Sequence, residues 1–157
     1  QNELQGLDVI TRLPQRRQLS KDFFWYSPAL TELLADCVAD IVVRVGTEDD
    51  VRQVVQVVAR HKLPFTVRAG GTGNYGQCVP LNGGIVMEVG GLARVLDIQP
   101  GRVRAQAGAR MFDIEMAARE TDQSLRMWPS TWHVASIGGF IAALMVVILE
   151  QQPQIGG

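Results

Sequence analysis

A glycine-rich loop fed directly by a β-rich run places the tightest constraint on this chain. The run Leu63 to Val67 is apolar and leads straight into Arg68-Ala69-Gly70-Gly71-Thr72-Gly73-Asn74-Tyr75-Gly76-Gln77. Gly70, Gly71, Gly73 and Gly76 remove four Cβ atoms within seven positions. A backbone stripped in this way can take positive φ at several places and bring bare N–H groups against a ligand. Such a concavity suits a phosphate or a diphosphate. The same residues would also serve as a plain surface turn, because glycine punctuates loops generally. The surroundings of the loop decide between the two.

Upstream, Ala39 to Val45 is β-branched and reads as a strand. Thr47 is a good N-cap, and Glu48, Asp49 and Asp50 put negative charge into the first turn of a helix. Val51, Val54, Val55 and Val58 then recur at the spacing of one buried helical face. Arg60, His61 and Lys62 close the helix with positive charge, and Pro64 stops it. His61 therefore reads as a helix-end charge. Strand, helix and strand make a β-α-β unit whose second strand delivers the loop. Residues 1–38 read as an N-terminal arm, with Phe23-Phe24-Trp25-Tyr26 as its core anchor and a short helix over Ala29 to Leu34 opened by Pro28.

Downstream, Leu81-Asn82-Gly83-Gly84 is a turn, and Ile85–Val89, Arg94–Ile98 and Val103–Ala107 are evenly spaced strands. Their spacing predicts an antiparallel meander. A helix is predicted from about Arg110 to Thr121, with Met111, Ile114, Ala117 and Ala118 on one side. Leu125 to Gly139 is irregular. The uncharged run Val134 to Leu149, at 16 residues, is too short for an integral membrane span and reads as buried. A polar, glycine-ended tail follows.

Composition narrows the function. The chain of 157 residues is 46% hydrophobic and 20% charged, which fits one globular domain and excludes a disordered chain. Its formal net charge is −1, with no basic run beyond Arg16-Arg17, so no nucleic-acid partner is expected. Any bound phosphate must be held mostly by backbone dipoles. Cys37 and Cys78 lie far apart with no CxxC spacing, so no metal site is expected. A reduced, cytoplasmic setting is the expectation, and the first residues carry no signal-peptide pattern.

Gly71-Thr72-Gly73-Asn74-Tyr75-Gly76 matches G-x-G-x-x-G behind a strand. The dinucleotide fingerprint also requires a helix opening at the third glycine. Gln77-Cys78-Val79-Pro80-Leu81-Asn82-Gly83-Gly84 follows instead and cannot be a helix of useful length. The Gly-Lys-Ser/Thr ending of an NTP-binding P-loop is absent too.

Four segments in order carry a different resemblance. They are Ile41 to His61; Pro64 to Gly73 with Gly76-Gln77 and Pro80-Leu81-Asn82-Gly83-Gly84; Ala107-Gly108-Ala109 ahead of a helix; and Pro129-Ser130-Thr131 followed by Ala135-Ser136-Ile137-Gly138-Gly139-Phe140-Ile141-Ala142. Together they resemble the FAD-binding (PCMH-type) domain of the vanillyl-alcohol oxidase/p-cresol methylhydroxylase family, in the branch of bacterial glycolate oxidase and D-lactate dehydrogenase-type FAD-linked oxidases. The resemblance runs from about Asp40 to Ala142. It implies an α+β fold: a β-α-β unit, then a mostly antiparallel sheet with flanking helices, incomplete at the C-terminus.

The resemblance also implies roles. Arg68, Ala69, Gly70, Gly71, Thr72, Gly73, Asn74, Tyr75, Gly76 and Gln77 correspond to the diphosphate loop, with Thr72 and Asn74 as side-chain donors. Pro129, Ser130, Thr131, Ser136, Gly138 and Gly139 correspond to the second FAD-contacting stretch. Ser136 also suits an ordinary helix N-cap, and the two roles are compatible. Thr72 stands where one branch carries a histidine for covalent attachment, and no cysteine lies between Pro129 and Gly139, so the FAD is expected to be non-covalent. Cys78 reads as a small buried thiol and His133 as a structural or exposed histidine.

Two departures matter. After Ala142 the family runs into a glycine- and serine-rich segment, whereas here Ala143-Leu144-Met145-Val146-Val147-Ile148-Leu149 follows. Members of the family continue into a cap domain that normally supplies the catalytic base and the substrate ligands, and none of it is expected within these residues. The expected division is 1–38 as N-terminal arm, 39–142 as partial FAD-binding domain and 143–157 as divergent apolar run and tail. The implied function is the FAD-binding part of an oxidoreductase that oxidises a small hydroxylated substrate, a 2-hydroxy acid, by hydride transfer to flavin. No catalytic residue is assigned within the chain. The alternatives are a flavin- or nucleotide-binding module or truncated remnant without turnover, and an interaction domain using Trp25, Trp128 and Trp132.

Overall fold

The computed structural model describes residues 2–150. Strands β1 (Asp8–Ile10), β2 (Ile41–Arg44), β3 (Phe65–Arg68) and β4 (Ile85–Glu88) form one sheet in the order β1-β2-β4-β3. Strands β5 (Val95–Gln99) and β6 (Arg102–Ala105) form a separate antiparallel pair. Among the described residues the α-helices are α1 (Leu13–Leu19), α2 (Pro28–Leu34), α3 (Glu48–His61), α4 (Met111–Arg119) and α5 (Ile137–Glu150). The polar tail expected at 151–157 lies outside the described residues.

The β-α-β unit forms as the sequence indicates. Thr47 Oγ1 accepts the Asp50 N–H at 3.1 Å, and the Asp50 carboxylate takes the N–H of Thr47 at 2.9 Å. This reciprocal cap fixes where α3 begins. Lys62, in the left-handed region at φ 51°, ends it. His61 is held as a helix-end group: its Nε2 lies 2.6 Å from a Glu3 carboxylate oxygen, and Arg60 pairs with the other oxygen at 2.6 Å.

One strand sits differently from the meander that even spacing predicts. β4 inserts between β2 and β3 and pairs in parallel with both, Ile85 opposite Ile41 on one side and opposite Phe65 on the other. Ile85, Val86 and Met87 are all buried. A continuous apolar run of this kind belongs to a strand covered on both faces, and spacing alone does not distinguish it from a meander strand. The antiparallel part of the fold is the β5–β6 hairpin and the β1–β2 pairing.

Both faces of the sheet are packed. Val43, Val45, Ile85, Met87 and Val89 meet Val54 of α3 on one face, while Val42, Val86 and Ile10 lie on the other with Leu19 of α1. A fully buried valine is worth roughly 1.5–3 kcal/mol, and Val42, Val43, Val54 and Val86 are all at 0% exposure. The sheet is thus the rigid base from which the loop after β3 departs. The N-terminal segment is tied to it through Arg16, which donates to the Ala39 carbonyl at 2.8 Å, and Ser20, whose Oγ accepts the Ala39 N–H at 3.0 Å. Phe24 is the aromatic anchor at 2% exposure, whereas Trp25 is 53% exposed. No helix among the described residues is long and apolar enough to cross a membrane.

Candidate functional site

β3 ends at Arg68, in register with Glu88 at the end of β4, which in turn faces Arg44 at the end of β2. The glycine loop therefore leaves from the carboxyl edge of the parallel strands, where ligands of open α/β sheets bind. Gly71 turns the loop at φ +61°, and a Cβ there would sit 2.3 Å from the Arg68 guanidinium. Only glycine meets both demands. Arg68 folds back beneath the loop, and its Nη1 donates to the Lys21 carbonyl and toward Cys78 Sγ at 3.4 Å. Gln77 braces the loop from within, its Oε1 accepting the Tyr75 N–H at 3.1 Å. From outside, the Phe23 N–H donates to the Gly73 carbonyl at 2.8 Å.

The second stretch, Pro129 to Gly139, is a tight turn that runs into α5. Trp132 donates its N–H to the Pro129 carbonyl at 3.0 Å, and Ala135 donates to Thr131 at 2.8 Å. It is stitched to the segment before α4: Met111 N–H to the Ala135 carbonyl at 2.9 Å, Ile137 to Ala109 at 2.8 Å and Gly138 to Ala107 at 2.9 Å. Ser136 is buried and its Oγ accepts the Gly139 N–H at 3.2 Å, so it caps α5 as the cap reading expects. The two stretches touch: a Cβ on Gly70 would lie 2.6 Å from the Val134 carbonyl oxygen.

Between them is a cleft of about 340 Å³. Of the residues singled out in the sequence, Arg68, Ala69, Gly70, Gly71, Thr72, Gly73 and Gln77 line it from the loop, and Pro129, Thr131, Ser136 and Gly139 from the second stretch. Asn74, Tyr75, Gly76, Ser130 and Gly138 are outside this lining. The second half of the loop turns toward the N-terminal segment, where Gly76 rests on Leu34 and Tyr75 is 75% exposed. Gly138 is pressed against Ala107, and Ser130 lies on the exposed side of its turn. His133 is stacked on Phe112 at 5.1 Å and lies against Trp132, also outside the lining.

The cleft is lined by the backbone of Gly70 to Gly73, by Thr72 and Thr131, and by Gly139 and Phe140 of the first turn of α5. The amides of Ile137, Gly138, Gly139 and Phe140 are taken by Ala109, Ala107 and Ser136, so at this end of α5 it is the helix dipole that favours an anion. The charged residues that line it are Asp22 and Arg68. Asp22 was not legible as a site residue, nor was Phe140, which also lines the cleft. The Asp22 carboxyl is pushed above the ordinary carboxylate range by burial, against the pull of the Phe24, Gly76 and Gln77 amides and of Arg68. Burial likewise pushes the Cys78 thiol up, although Arg68 opposes it. A protonated thiol is a poor nucleophile.

Comparison with known proteins gives the family and the fold. A family model described as FAD binding domain matches residues 39–146. The glycolate oxidase subunit GlcD of Escherichia coli is 31% identical over 96 residues, 60% of this chain and 19% of that protein. An uncharacterised oxidoreductase of the fasciation locus of Rhodococcoides fascians is 31% identical over 84 residues, 54% of this chain and 19% of that protein. The chain thus spans about a fifth of the length of these curated relatives. Among solved structures, alkyldihydroxyacetonephosphate synthase superposes with a TM-score of 0.72 at 15% identity, over 85% of this chain and 28% of that one. For p-cresol methylhydroxylase with substrate bound the TM-score is 0.64 at 15% identity, over 82% and 25% of the two chains. These structural likenesses establish a shared fold.

Proposed function

The chain belongs to the FAD-binding domain family, and from that premise we propose that its cleft holds the diphosphate of a non-covalently bound FAD as part of a flavin-dependent oxidoreductase. The observation that carries this reading is the meeting of Arg68–Gln77 with Pro129–Gly139 across one cleft, beside the N-terminal turn of a helix. The residues present fit such a group. The Val134 carbonyl against Gly70 and the positive φ of Gly71 both favour glycine, so the ligand faces bare backbone there. A volume of about 340 Å³ is at the small end of ligand pockets, which run to roughly 1,000 Å³, and suits the diphosphate with its flanking sugars.

In this reading the amides of Gly70 to Gly73 hold the diphosphate, the dipole of α5 adds to their pull, and the Thr72 and Thr131 hydroxyls serve as donors. Arg68 adds positive charge from beneath. Gly76, against Leu34, and Gly138, against Ala107, let the two walls pack from behind. Bound FAD supplies the redox chemistry, its flavin accepting a hydride. The chain's own residues bind and orient, and no side chain of the cleft is assigned as a catalytic acid or base. The burial that raises the Cys78 thiol disfavours its thiolate, which supports non-covalent binding. The likeness to a glycolate oxidase subunit supports a 2-hydroxy acid as the substrate of the whole protein, with substrate contacts made by a separate cap domain. Two unpaired cysteines, Cys37 and Cys78, fit a cytoplasmic setting.

The test is a titration of the purified protein with FAD, followed by flavin fluorescence and by equilibrium dialysis. Saturable uptake near one FAD per chain is the expected result. A protein that takes up no FAD at any concentration sinks the proposal.

A further inference from the structure

Asp22 lies outside the segment matched to the family, yet it lines the same cleft as the glycine loop. It is 4% exposed. One carboxylate oxygen accepts the Phe24 N–H at 2.8 Å. The other, Oδ2, is buried and takes no hydrogen bond. The amides of Gly76 and Gln77 face the carboxylate but fall outside hydrogen-bond geometry, so they do not satisfy this oxygen. A Cβ on Gly73 would come 3.2 Å from Oδ2, which places the oxygen directly behind the loop backbone. The charged or titratable groups that face Asp22 are Arg68 from β3 and Cys78 beyond the loop.

This arrangement has a consequence for an anionic ligand. Asp22 and Arg68 are the charged residues of the lining, and while both are ionised they cancel. A diphosphate entering the cleft then meets no net positive charge and an unpaired buried carboxylate. Like charges brought together in a partly dry site favour protonation of one of them. The diphosphate diester is the stronger acid, so the proton goes to the carboxylate. Resting on the FAD reading above, we propose that the diphosphate binds this cleft together with one proton, taken from solvent onto Asp22 Oδ2, and that this uptake frees the charge of Arg68 for the ligand. Asp22 is then a positioning residue supplied by the N-terminal segment. It sets the charge of the cradle through Arg68 and, with the Phe23 link to Gly73, holds the loop from behind.

The linkage has a definite sign. A group whose pKa is higher in the complex than in the free protein gives affinity that is present below the free value and lost as pH rises from the free to the bound value. FAD affinity therefore falls with rising pH, by up to about tenfold per pH unit within that window. The experiment is calorimetric titration of the full chain with FAD across the acidic to neutral range, repeated in buffers of different ionisation enthalpy to count protons directly. The natural protein takes up a proton on binding, while Asp22→Asn takes up none and shows an affinity flat in pH. The proton count on the natural protein does not depend on how well the variant folds. Equal uptake and equal pH slope in the natural protein and in Asp22→Asn, or binding by the natural protein without uptake, overturns the proposal and leaves the FAD reading standing. No FAD binding by either protein at any pH overturns both.

Discussion

Gly70→Ala tests whether the two walls of the cleft act as one site. Gly70 needs no positive φ, so alanine brings no backbone strain there. Its methyl carbon would lie 2.6 Å from the Val134 carbonyl oxygen, short of the 3.0 Å that real contacts keep. The obstacle is backbone, held by the Val134 N–H bond to the Thr131 carbonyl and by the Ala135 link to Met111, so it yields only if the whole turn moves. The walls must part by about 0.4 Å or more, and overpacking of this kind costs roughly 1–3 kcal/mol. If FAD touches both walls, much of that misfit is charged against binding. The expected loss of affinity is then between about fivefold and a hundredfold. A control separates local strain from loss of stability. Gly101→Ala, at φ +73° in the β5–β6 hairpin with open space around it, costs roughly 1–2 kcal/mol of stability and leaves FAD affinity unchanged. The assay is fluorescence titration with FAD beside thermal unfolding, for both variants and the natural protein. If Gly70→Ala is destabilised yet binds FAD as tightly as the natural protein, the second stretch is not a wall of the binding site and the reasoning fails.

Other perturbations follow from the same contacts. Glu115 is buried and accepts from Arg119 at 2.7 Å, Ser124 at 3.0 Å and the Leu125 N–H at 2.8 Å; Glu115→Ala leaves the Leu125 amide unpaired and should cost about 2–4 kcal/mol in chemical denaturation. The Leu125 amide, first, and then Arg119 hold the Glu115 carboxyl below the ordinary range, so its contribution is present above the unfolded pKa and is lost as pH falls through the folded one; Glu115→Gln should accordingly flatten the acid limb of stability against pH. Thr47→Ala removes the α3 cap and should lower stability by about 1 kcal/mol, read by thermal unfolding, with FAD affinity untouched.

Elements defined by local chemistry were readable from the sequence. The start of α3 is set by Thr47 and Asp50, its buried side by Val54 and its neighbours, and its end by Lys62 before Pro64. The loop after β3 was readable because glycine density and a preceding β-branched run are both local signals. Elements that depend on distant partners were not. β1 is three residues long and exists by pairing with β2, and α1 begins at Leu13-Pro14 with no side-chain cap and no buried residue of its own. The place of β4 between β2 and β3 is a tertiary fact, since its continuous apolar run would suit any strand covered on two faces. Asp22 carries no signal at all in sequence. It is a polar residue ahead of an aromatic run, and it reaches the cleft only because Phe24 is buried and Phe23 bonds to Gly73.

The way the two walls are anchored explains why so little of the cleft depends on side chains. The loop is fixed at its base by β3 in the sheet, from beneath by Arg68 and from behind by the Lys21–Phe24 segment. The second stretch is fixed by main-chain bonds to the segment before α4, by an isolated bridge between Arg110 and Ser136, and through Glu115 at Ser124 and Leu125, where the chain leaves α4 for the turn. Each wall is therefore positioned by a different part of the fold, and the two meet at the Gly70–Val134 contact. A side chain at that contact would separate them, whereas an exposed position such as Tyr75 stands clear of the cleft and bears no such constraint. Glycine at Gly70 and Gly71 is thus required by two different conditions. At Gly70 the condition is the approach of a second backbone, and at Gly71 it is the turn together with the returning Arg68 guanidinium. A diphosphate site built in this way draws its specificity from main-chain geometry, so changes in the packing behind the walls should reach the ligand as readily as changes within them.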